Sequence, residues 1–80
     1  AIITLGCVIR GETDHYQFIC QAVSNGMMDI TINSNIPILF GVLTCQNKDL
    51  AFARSGNNNK NKGYEVGLAA VEQIETMNSL

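Results

Sequence analysis

The sequence predicts an α/β fold in which a parallel βαβ unit is followed by a short helix and then a long one. Two observations carry that prediction. Ala1–Ile9 and Ile36–Leu43 are short, nearly continuous apolar runs, the pattern of strands buried on both faces of a parallel sheet. Between them, from about His15 to Asn33, the apolar period changes. Ile19, Val23, Met27 and Ile30 recur at steps of three and four, which marks a helix packed along one side. A connection that contains a helix is long enough to cross over between parallel strands, and such crossovers are right-handed.

Each element has local signals. After the first run, Arg10-Gly11-Glu12-Thr13-Asp14 breaks the apolar pattern, with Gly11 free to take an unusual backbone angle. Thr13 or Asp14 caps the first helix. Gly26 falls inside that helix at a cost of about 1 kcal/mol relative to Ala, either for close packing or as a tolerated weakness. Asn35 and Pro37 end the helix, and Pro37 lies near the first residue of the second strand, where proline is tolerated. Thr44–Asn47 reads as a short loop with capping residues, and Asp49–Ser55 as a short helix stopping at Gly56. Gly56-Asn57-Asn58-Asn59-Lys60-Asn61-Lys62-Gly63 is polar and low in complexity, and on composition alone reads as a solvated loop. Tyr64–Met77 is the final helix, with Val66, Ala70, Ile74 and Met77 on one face.

Composition excludes several function classes. Five basic and seven acidic residues leave a net charge of −2, so a strongly basic nucleic-acid binder is not the reading. At 46% hydrophobic and 15% charged, the chain is apolar enough for a core. No apolar run approaches the ~18 residues of a membrane span. The three cysteines, Cys7, Cys20 and Cys45, are widely and irregularly spaced, with no C-x-x-C. They read as buried, reduced thiols in a cytoplasmic protein. The one histidine, His15, excludes any multi-histidine metal site.

In open parallel sheets, ligands sit at the carboxyl ends of the strands. Two segments fall there: Arg10–His15 after the first strand, and Leu43–Asn47 after the second. The first joins a helix start to a hydroxyl donor, Thr13, and a group that titrates near neutrality, His15. By pattern alone, His15 is either a proton carrier or an ordinary helix-start residue. Phe40 is either core packing or a ligand contact. Arg54 either caps its helix through the dipole or grips a phosphate. Lys62 is either solvated or a second phosphate contact. Pattern reading stops at a small phosphorylated ligand at a strand–helix turn.

The wording of the sequence goes further. Gly6-Cys7-Val8-Ile9-Arg10-Gly11-Glu12-Thr13-Asp14-His15-Tyr16 strongly resembles the motif of the 6,7-dimethyl-8-ribityllumazine synthases. The resemblance continues through Pro37–Thr44, Ala53-Arg54-Ser55-Gly56 and Asn61-Lys62-Gly63-Tyr64-Glu65, in the family's order and spacing. It implies a three-layer αβα flavodoxin-like subunit, with residues 1–80 as the C-terminal βαβαα part of a single domain. The apolar run that starts at Ala1 fits a chain whose N-terminal half lies elsewhere, and the eighty residues alone are then expected to be inactive.

Carried over residue by residue, the resemblance implies that Cys7, Val8 and Ile9 border a ribitylaminopyrimidine, largely through backbone groups. Glu12 and Thr13 match the pair that holds the phosphate of the four-carbon substrate. His15 matches the proton-transfer histidine, and Phe40 the aromatic that packs on the pyrimidine. Arg54 matches the phosphate-binding arginine, and Lys62 the basic position near the same pocket. The implied transferase joins 5-amino-6-(D-ribitylamino)uracil to 3,4-dihydroxy-2-butanone 4-phosphate, giving 6,7-dimethyl-8-ribityllumazine, phosphate and water. No metal or redox cofactor, nucleic acid or membrane enters. The family's pocket lies between neighbouring subunits of a pentamer, sometimes built into an icosahedral shell, with the histidine loop and the Phe40 and Arg54 elements on adjacent subunits. The competing reading is a non-catalytic shell protein that binds phosphate or flavin-like ligands. Intact His15, Phe40 and Arg54 favour the enzyme.

Overall fold

The computed structural model describes residues 1–80 as β1 (Ile2–Ile9), α1 (His15–Asn33), β2 (Ile38–Cys45), α2 (Lys48–Ala53) and α3 (Lys62–Asn78). The strands pair in parallel, from Ile2 opposite Ile38 to Ile9 opposite Cys45. The ladder is extended at each end by Ile2 N–H donating to Pro37 O at 2.8 Å and Arg10 N–H donating to Cys45 O at 2.9 Å. Helix α1 makes contact with the strands but not with α2 or α3. Phe40 and Ile38 share a cleft with Met27 and Met28 of α1, whereas Gly41 lies against Val66 of α3. Alternate residues of a strand point to opposite faces. The sheet is therefore a layer between α1 on one side and α2 and α3 on the other.

The predicted elements are present, with shifted ends. β2 starts two residues later than its apolar run and continues through Thr44 and Cys45, expected as loop, because Val8 and Ile9 offer them ladder partners. Helix α3 begins at Lys62 rather than Tyr64, since Asn61 caps it by accepting from Tyr64 N–H at 2.8 Å. At the start of α1, Thr13 supplies the side-chain bond and Asp14 makes none. No glycine takes a positive φ, so Gly11 does not use the freedom expected of it. A Cβ on Gly26 would meet open space, which makes it a tolerated weakness of α1.

The strands are less covered than their apolar runs predict. Leu5 is 69% exposed, and Ile2, Ile3 and Ile9 also face solvent. Only β2 is well covered, with Gly41 and Cys45 buried and most of its other residues half-buried. With only two strands, no neighbour lies over the outer edge of β1. Ile19, Val23 and Met27 of α1 are half-buried as expected, but Ile30 is exposed and Thr31 takes its place beside Met27. Val66 and Ala70 of α3 are buried, while Ile74 and Met77 run past the sheet into solvent. The radius of gyration, 14.2 Å, exceeds the roughly 12 Å of a compact chain this long. No helix is long and apolar enough to cross a membrane.

Gly41 sets how closely α3 approaches. A Cβ there would collide with the carbonyl oxygen of Thr4 and stand 3.0 Å from Leu5 Cδ2 and 3.1 Å from Val66 Cγ2. The absent side chain lets α3 seat on the sheet directly above the strand that carries Phe40.

Candidate active site

β1 occupies one edge of β2, and the other edge carries a hollow of about 410 Å³. Its walls include Phe40, Thr44, Leu50, Arg54, Lys62 and Glu65. Phe40 and Thr44 belong to the α1 face of β2, whereas Arg54 and Lys62 come from the opposite layer. The hollow thus wraps around the strand edge.

Local sequence brings the two basic residues together. Asn47 caps α2 by accepting from Leu50 N–H at 2.9 Å, and Arg54 closes that helix with its N–H on Ala51 O and Phe52 O. The Asn-rich stretch that follows is an exposed loop, as its composition predicts, and it is also tied down. Asn58 donates to Ala53 O at 3.2 Å and accepts from Lys60 N–H at 2.8 Å. Asn61 donates to Gly56 O at 2.7 Å while capping α3. The loop then closes on itself, because Lys62 N–H donates to Arg54 O at 2.7 Å. Short amide side chains that bond nearby backbone groups are what such a turn needs.

The Lys62 ammonium faces Glu65 at 3.7 Å, one helical turn on, with both side chains part-exposed. This pair is too long for a good hydrogen bond and too exposed to hold strongly. An aromatic ring, a guanidinium and an ammonium around a hollow of ligand size can stack a flat heterocycle and grip an anion.

The other predicted residues form a second group at the carboxyl end of β1. Cys7 and Ile9 line a separate apolar hollow of about 420 Å³ beside Leu43 and Phe52. Val8 is half-buried and points to the opposite face of the sheet. Glu12 and Thr13 are exposed in the turn, and Thr13 Oγ1 accepts from His15 N–H at 3.3 Å. His15, also exposed, opens α1. None of Val8, Glu12, Thr13 and His15 lines the hollow that holds Phe40, Arg54 and Lys62. The predicted site residues therefore fall into two separate groups on one chain.

Tyr16 lies directly behind His15 and is half-buried. Desolvation raises its phenol above the ordinary 10.0; Cys20 and Cys45 push the same way, and a hydrogen bond with Thr44 opposes them. Glu65 was absent from the predicted set. Its signal is the three-residue step from Lys62, which places both on one helix face once α3 is started at Lys62.

The family model of 6,7-dimethyl-8-ribityllumazine synthase matches residues 1–78. Similar proteins carry the same description. One, from Coxiella burnetii strain Dugway 5J108-111, is 49% identical over all 80 residues, which span 53% of that protein. A second, from Coxiella burnetii strain RSA 493, is 48% identical over the same span. A third, from Cytophaga hutchinsonii, is 49% identical over 74 residues, covering 92% of this chain and 46% of that protein. The chain spans about half the length of the curated relatives it matches. Its parallel sheet between two helical layers is consistent with part of a flavodoxin-like subunit. A match over residues 1–78 leaves only the last two positions outside the family's pattern, and the chain belongs to the 6,7-dimethyl-8-ribityllumazine synthase family.

Proposed function

We propose that this chain supplies both halves of a lumazine synthase site, each half completed by a neighbouring copy. The reaction joins 5-amino-6-(D-ribitylamino)uracil to 3,4-dihydroxy-2-butanone 4-phosphate. The amine attacks the ketone and water leaves as an imine forms. Phosphate is then eliminated, and the ring closes with loss of water to give 6,7-dimethyl-8-ribityllumazine. The observation that carries this reading is the convergence of Phe40, Arg54 and Lys62 at the β2 edge, away from His15.

The roles follow from the chemistry of the side chains. Phe40 offers a part-exposed ring on which the pyrimidine packs. The Arg54 guanidinium presents a planar fork of donors to the phosphate, and the Lys62 ammonium adds a point charge. His15, fixed at a helix start by its N–H bond to Thr13, moves protons between amine, carbonyl and leaving group. Thr13 and Glu12 approach the phosphate from the neighbouring copy. The backbone at Cys7, Val8 and Ile9 borders the pyrimidine on the same side. Holding the two substrates in register supplies the rest of the acceleration.

The exposed apolar residues of β1 and α1, among them Leu5, Phe18 and Ile32, support burial against further protein in a ring of five or a larger shell. The three unpaired cysteines support a reducing, cytoplasmic setting. The test is Arg54→Ala in the full-length protein, with each substrate varied in turn. KM for the butanone phosphate should rise by roughly ten-fold or more, the loss of a charge-assisted contact, while KM for the pyrimidine stays close to the parent value. Equal loss for both substrates would leave Arg54 as a helix-closing residue only.

A further inference from the structure

The hollow at the β2 edge contains one feature that an anion site does not need. Glu65 is the only carboxylate on its wall, and it stands 3.7 Å from the Lys62 ammonium. The pair does little for the fold, since its members are 37% and 49% exposed and exposed ion pairs are weak. Its effect on a bound anion is larger. The charged groups of the wall are Arg54, Lys62 and Glu65, so the carboxylate cancels one of two positive charges.

We propose that Glu65 weakens the anion pocket, standing beside Lys62 while the pocket is empty and opposing any anion that binds there. This inference rests on the proposed function, in which phosphate is both a group of the substrate and a product that must leave. The carboxylate and the phosphate compete for one ammonium. When the anion wins, Glu65 becomes a like charge beside it. The opposition grows with anion charge, so a dianion is penalised more than a monoanion. The substrate has its four-carbon part to hold it, whereas free phosphate has only the charges. Glu65 weakens both by a similar factor, and free phosphate, which has no other contact, is brought to the weak binding that lets it leave.

The probe is inorganic phosphate, titrated calorimetrically into the full-length protein. Glu65→Gln should bind phosphate roughly five-fold more tightly, the effect of removing one unit charge at about 4 Å in water-like surroundings. Product inhibition by phosphate should sharpen in parallel, and both effects should shrink in high salt. Glu65→Asp keeps the charge and should stay within about two-fold of the parent. Glu72→Gln removes the same charge from the same helix outside the pocket and should change nothing. Unchanged or weaker phosphate binding in Glu65→Gln overturns the proposal, and so does an equal gain in Glu72→Gln. Arg54→Ala separates this failure from that of the site itself. If Arg54→Ala leaves phosphate binding intact, the pocket reading falls; if it weakens binding while Glu65→Gln does not strengthen it, only the role of Glu65 falls.

Discussion

The proposed division of the site between two chains is open to a direct test by mixing. His15→Ala removes the proposed proton carrier and leaves the β2-edge hollow untouched, because His15 does not line it. Arg54→Ala removes the proposed anion grip and leaves the β1 turn untouched, because Thr13 and His15 are held by a bond of their own. Each variant alone should be slow, the first by roughly 10²–10⁴-fold, as for a lost acid–base group. The two are then unfolded together in equal amounts and reassembled. In a head-to-tail ring, every site takes its histidine from one subunit and its arginine from the next. Half the subunits have each intact residue, so about one quarter of the sites recover both. The mixture should regain about one quarter of parental activity, measured by lumazine absorbance, against almost none for either variant. Separately reassembled variants, mixed afterwards, should stay inactive. If instead one chain held a whole site, no mixture would contain an intact one. Absence of recovery in verified mixed assemblies would refute the division of residues between subunits.

Two further outcomes concern the scaffold. Gly41→Ala should destabilise the protein by about 1–3 kcal/mol in denaturant unfolding, because the new Cβ meets the carbonyl of Thr4, a backbone atom that cannot rotate away; an unchanged midpoint would mean that α3 seats more loosely than described. Stability should also fall as pH rises above the ordinary tyrosine value of 10.0, because the raised Tyr16 phenol favours the folded state only while protonated, and that contribution is lost as pH passes through the raised value. Tyr16→Phe should flatten this part of the curve above pH 10.0, and identical curves would remove Tyr16 from the cause.

Periodicity made the elements legible. The apolar step of α1 and the two apolar runs identified a helix between parallel strands, and the structure has them. Coverage was less legible, because an apolar run records what a strand would bury and not what lies over it. Leu5 illustrates the difference: its position in the run predicts burial, yet it is 69% exposed. The end of β2 was misplaced for a related reason. Thr44 and Cys45 look like loop in isolation, and they become strand only because Val8 and Ile9 are opposite them. Register is a property of two segments, and neither segment states it alone.

The stretch from Arg54 to Glu65 contains the least legible part of the site and its central device. Composition reads Gly56–Gly63 as a loop whose asparagines meet water, since asparagine is common in such loops. In the structure, Asn58 and Asn61 each make a donor and an acceptor bond to nearby backbone, so the loop has one shape. That shape returns the chain until Lys62 N–H reaches Arg54 O. Two cations that sequence separates thereby line one hollow, and the turn that caps α3 also places Glu65 on the same wall as Lys62. Loop, cap and charge set are thus one construction. Shortening the loop would move Lys62 and Glu65 together, and so would alter the attraction and the repulsion felt by an anion at the same time. A site tuned by opposed charges tolerates that coupled movement better than one built from cations on independent elements, because attraction and repulsion grow or shrink together as the helix shifts and so partly offset each other.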